Sequence, residues 1–109
     1  MSRGHARERR VRDLLESDDW WVCRAAGSLG DADLIALRHD RRPRLIEVKS
    51  TAGGPYERFG PAARARLTFA AELAGADALL AWWPPRGHLH WIPATEWPEP
   101  PPQTQEATP

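Results

Sequence analysis

Cysteine is nearly absent from this chain: Cys23 stands alone. A single thiol excludes an intramolecular disulfide and any zinc cluster built on cysteines. Lysine is as scarce. Of the 15 basic residues 14 are Arg, and the exception is Lys49. No apolar run approaches the roughly 20 residues of a membrane-spanning helix. The segment after Met1 leads into no apolar h-region, so no secretory signal is expected and the cytoplasm is the expected compartment. Net charge is zero as well, but that mean hides a gradient. Residues 1–12 carry five Arg against Glu8, while residues 92–109 carry three Glu and no basic residue. A locally basic end suits a phosphate-bearing partner.

The 109 residues suffice for one modest core, with no internal repeat and no room for a second domain. Residues 1–92 are expected to form that domain. From Pro93 onward six prolines fall in 17 residues with no apolar period, so 93–109 reads as a disordered tail.

The rest of the chain alternates helix and strand signals. A helix is expected from Ser2 to about Ser17, with Val11, Leu14 and Leu15 as its core stripe and Glu8 on the same side. Strands follow at 20–25, at 32–39 with Asp33 at its opening, and at 44–50, the last two as a hairpin across Asp40–Pro43. Pro61 opens a second helix to Ala74, with Leu67, Ala70, Ala71 and Ala74 inward and Gly75 as its C-cap. Asp77–Trp83 reads as a strand buried on both faces and His88–Ile92 as a short last strand. The resulting fold class is α/β: a mixed sheet with a helix at each side.

Chemistry concentrates at Leu45-Ile46-Glu47-Val48-Lys49. Strand side chains alternate, so Glu47 and Lys49 share a face. Taken alone, a surface Glu–Lys pair explains them equally well. Glu8 and Asp33 change the weighing: three carboxylates and the sole lysine are what metal-assisted phosphodiester hydrolysis uses. Magnesium takes carboxylate and water oxygens, and manganese is its expected substitute. The four histidines lack zinc spacing and read as surface residues. Trp82 and Trp83 read as core.

Asp33 followed by Glu47-Val48-Lys49 resembles the Asp…Glu-x-Lys signature of the PD-(D/E)xK nuclease superfamily. The expected element order also matches that superfamily's restriction-endonuclease-like α-β-β-β-α-β core. More narrowly, Gly4-x-x-x-Glu8-Arg9, Arg24-x-x-Gly27-Ser28, Asp33-Leu34-Ile35-Ala36-Leu37 and Ile46-Glu47-Val48-Lys49-Ser50 are similar to the archaeal-type Holliday junction resolvases. The resemblance implies Glu8, Asp33 and Glu47 as metal ligands, Lys49 as catalytic, and Ser28 in a supporting role. It implies DNA contacts at Arg9 and Arg24, and Arg10, next to Arg9 in the basic segment, is expected to contact phosphate as well. The family's Gln near the start of the second helix is missing, and its role falls to Arg64 or Arg66 if to any residue. Ala32 stands where the family often has Pro.

Phe69 matches an aromatic of the family's dimer interface. It also lies outside the core stripe, with Leu73 at i+4. Together with Trp91 these residues are expected to cover a two-fold partner, since a four-way junction offers two strands to cut. The expected activity is a magnesium-dependent endonuclease that resolves branched DNA. Alternatives are a restriction- or repair-type nuclease of the same fold, or a non-catalytic DNA-binding module.

Overall fold

The computed structural model describes residues 3–25 and 32–99. The elements are α1 (Arg3–Glu16), β1 (Trp21–Arg24), β2 (Leu34–Arg38), β3 (Arg41–Ser50), α2 (Pro61–Ala74), β4 (Asp77–Trp83) and β5 (His90–Pro93), then a 3-10 turn at Ala94–Glu96. The strands form one sheet in the order β1-β2-β3-β4-β5. β1, β2 and β3 run antiparallel, β4 lies parallel to β3, and β5 is antiparallel to β4. The parallel pair needs a crossover, and α2 supplies it. This is the expected mixed sheet and restriction-endonuclease-like core.

Each helix covers one sheet face. Under α1, Val11 and Leu15 pack on Leu34, Ala36, Ile46, Ala81 and Trp83. Under α2, Leu67 and Ala71 pack on Leu45, Ala78, Leu80 and Phe59. Leu80 and Ala81 are adjacent, face opposite sides, and are both fully buried. That is the environment of a strand covered on both faces, and it explains the apolar run of β4.

The α1 stripe is narrower than expected. At about 100° per residue, Val11 and Leu15 lie 40° apart, and Leu14 falls about 80° from their midline. Leu14 is accordingly 41% exposed. Glu8, only about 40° from the same midline, turns inward. Both helices end in the same way. Trp20 N–H bonds Leu15 O across Asp19, at φ 67°, and Ala76 N–H bonds Ala71 O across Gly75, at φ 65°.

β2 starts at Leu34, two residues later than expected, so Asp33 stands just before the strand and not in it. Three further boundaries differ in ways that matter. β3 begins at Arg41, so Pro43 lies inside the strand. The β2–β3 register shifts between Ala36 and Arg38, and such an irregularity tolerates a residue without an N–H. β5 begins two residues late and takes in Pro93, which an edge strand allows. The third is the start of the tail. Trp97 packs edge-on against Phe59, centroids 5.2 Å apart, and donates its indole N–H to Ile92 O at 3.1 Å. Residues 93–99 thus close the α2 face, because an aromatic in a proline-rich segment finds an apolar slot. Residues 100–109 lie outside the described residues.

Candidate active site

The site forms where β2 and β3 part. Their ladder reaches Leu34 opposite Ile46, and Asp33 N–H still bonds Ile46 O at 2.8 Å. Beyond Ile46 the β2-facing edge of β3 has no strand beside it among the described residues. The Asp33 carboxylate takes that place, accepting the Val48 N–H at 2.8 Å. A backbone bond thereby fixes one carboxylate oxygen beside the Glu-x-Lys segment. The other edge of residues 47–50 is fully paired with β4, so the segment is rigid.

Glu47 and Lys49 share a face as the strand period requires, with Lys49 Nζ 3.0 Å from Glu47 Oε2. Burial first, then the charge of Asp33, raises the Glu47 pKa above the ordinary glutamate range. The bond and charge of Lys49 pull it down, and the charge of Glu8 adds a smaller upward push. The three acids therefore feel one another. They are not, however, gathered into one ligand set. Among the described residues no three His, Cys, Asp or Glu side chains stand together as a metal site. The expected convergence is incomplete for a local reason: Arg24 Nε grips Glu8 Oε1 at 2.6 Å.

Arg24 closes a second cluster. Its Nη2 lies 3.1 Å from His5 Nε2, and His5, Glu8, Arg9, Arg12 and Arg24 line a cavity of about 150 Å3 that reaches Leu34, the neighbour of Asp33. His5 and Arg12 had no expected role here. The signal was present, since they stand three before and four after Glu8 on one helix.

The remaining expected residues scatter. Arg10 is exposed on α1, and Arg66 is exposed on α2. Arg64 is corrected: it is buried, its Nη1 donates to Phe59 O at 3.0 Å, and its guanidinium lies 4.9 Å from the Tyr56 ring centroid. It braces the loop before α2 rather than facing DNA. Ser28 lies outside the described residues. Phe69 and Leu73 are 61% and 74% exposed on α2. Trp91 does not join them. It pairs with Ala81, whose side chain packs under α1, so Trp91 points to the opposite side of the sheet. The tryptophan that lines a groove with Phe69 is Trp97.

The family model of the archaeal Holliday junction resolvases (Hjc) matches residues 1–99. This chain belongs to that family. Its structure is similar to Archaeoglobus fulgidus Hjc, a Holliday junction resolvase from an archaeal hyperthermophile, at 26% sequence identity and a TM-score of 0.74. The match covers 86% of this chain and 75% of that one. No curated protein sequence matches. Family membership makes the chain a Holliday junction resolvase, an endodeoxyribonuclease of a family that generally depends on divalent metal.

Proposed function

We propose that this resolvase cuts at Asp33, Glu47 and Lys49, with magnesium as resident ion, manganese as its substitute, and Glu8 as the third acid. The carrying observation is Glu47: a largely buried carboxylate, raised in pKa beside Asp33, that only Lys49 partly compensates. Such a donor set fits a hard divalent cation, which takes one or two carboxylates and keeps several waters. The ion, when bound, would supply an activated water and charge stabilisation at phosphorus. Asp33 is aimed by the Val48 N–H and Glu47 by Lys49. The Lys49 ammonium can neutralise charge developing on the phosphate oxygens. Arg24, with Arg9 beside it on the same cavity, is placed to make phosphate contacts, and Arg10 would meet phosphate from another side of α1. A phosphate that draws Arg24 away would free Glu8.

The working unit is a homodimer through Phe69 and Leu73, which places one site on each of two strands of a branched DNA. A DNA substrate implies a cytoplasmic site of action. No described helix is long and apolar enough to cross a membrane. The experiment is a magnesium cleavage panel of four-way junction, flap, duplex and single strand. Paired nicks confined to the junction are expected. Cleavage of duplex as readily as junction would overturn the assignment.

A further inference from the structure

Outside the carboxylate cluster lies a larger feature, an open groove of about 1020 Å3. Ser50 lines its start, so it opens one residue beyond Lys49. Four arginines border it: Arg7 and Arg10 from α1, Arg58 from the β3–α2 loop, and Arg86 from the β4–β5 turn. Glu57 is the one acid lining the groove, and it is engaged: its Oε1 accepts the Gly53 N–H at 2.6 Å. Arg7 lies 4.6 Å from the centroid of Trp83, which also lines the groove. Arg10, Arg58 and Arg86 pair with no carboxylate among the described residues.

The backbone of two of these arginines is unusual. Arg58 has φ 63° and Arg86 φ 58°, in the left-handed region that L-residues avoid. Each occupies the third position of a hydrogen-bonded turn. Phe59 N–H closes Tyr56–Phe59 on Tyr56 O at 2.9 Å, and Gly87 N–H closes Pro84–Gly87 on Pro84 O at 3.1 Å. Positive φ at that position favours Gly. Two separate turns thus place Arg where Gly fits best, and both bring it to the same groove. The remaining non-glycine residue of positive φ among those described, Asp19, caps α1 and has a local reason to be there.

We propose that this groove holds the sugar–phosphate backbone of a DNA arm leading away from the cut, with Arg58 and Arg86 as phosphate contacts mounted on the two turn tips. This rests on the nuclease reading and extends it from the cutting centre to the arm. Cations without protein partners are what a polyphosphate track requires, and the turns hold them at fixed places.

The variants follow from the same geometry. Arg58→Gly and Arg86→Gly remove each cation while suiting the turn, so thermal melting should stay equal or rise. Binding to a four-way junction is measured without divalent metal across a salt series. The double variant should lose about two from the slope of log K against log salt, one per contact. Shortening the junction arms should bring the wild type down to the variant's affinity. A double variant that melts as the wild type does and keeps its full salt slope overturns the groove and leaves the nuclease reading intact. A wild type that binds no junction overturns the junction reading on which the groove rests.

Discussion

Glu47 sets the energetics at the scale of single residues. Its pKa is raised in the folded chain, so between the unfolded and folded values the native state holds the extra proton. Stability is therefore fully present below the ordinary value of 4.5 and falls as pH rises through the folded one. Glu47→Gln removes that slope. In metal-free buffer its melting temperature should gain on the wild type as pH climbs from about 4 to about 8. Magnesium should raise the wild-type melting temperature and leave that of Glu47→Gln nearly unchanged, because a bound cation stabilises only the form that binds it. Equal responses of the two proteins would remove Glu47 from the metal site. Cleavage should vanish in Glu47→Gln and in Asp33→Asn while junction binding persists. Arg24→Ala addresses the other cluster: it should weaken binding to all sequences alike and lower the salt slope by about one. A changed cutting sequence with the slope intact would make Arg24 a base reader instead. The Glu47–Lys49 pairing was legible beforehand because a strand period of two depends on nothing else. The grip of Arg24 on Glu8 was not, because it joins α1 to β1 and rests on the relative placement of two elements. The inward turn of Arg64 was signalled by its place three before Leu67 on the inward stripe, and its charge masked that signal.

Elements were legible where local chemistry dictates them. Pro61 and Gly75 bracket α2, and the alternation of Leu80 and Ala81 places β4 between two layers. They blurred where tertiary pairing decides: β3 runs through Pro43 because the register shift asks for no N–H there, and Trp97 joins the fold because Phe59 offers it an edge. Gly75→Ala tests the first kind. Nothing lies within 4 Å of an added Cβ, so the penalty is purely that of a side chain at φ 65°. A loss of about 1 kcal/mol is expected in denaturant unfolding, without change in cleavage of the remaining folded protein. No loss would mean that α2 can end without its left-handed cap.

The molecule as a whole leaves one apolar helix edge open. Phe69 and Leu73 stand one turn apart on α2, both mostly exposed, and Trp97 extends the apolar surface from the segment after β5. Trp91, expected in the same patch from its place in the last strand, lies across the sheet. The proposed interface is therefore centred on α2. Two such helices meeting about a two-fold axis would bury Phe69 against its symmetry mate or a close neighbour. They would also hold two Asp33–Glu47–Lys49 sites in one particle, so that both strands of a junction meet a site in one encounter. Phe69→Glu brings an ionised carboxylate into that contact, where it has no cation to meet, and the interface should fail. Sedimentation should show the wild type as a dimer and the variant as a monomer. On a supercoiled plasmid with an extruded cruciform, the wild type should linearise the circle by paired nicks within one binding event. The variant should release singly nicked circles, because relaxation after the first nick reabsorbs the cruciform before a second monomer arrives. A wild type that sediments as a monomer at micromolar concentration would leave α2 without its partner. A Phe69→Glu protein that still linearises the plasmid would show that paired cutting is organised by the DNA and not by this helix.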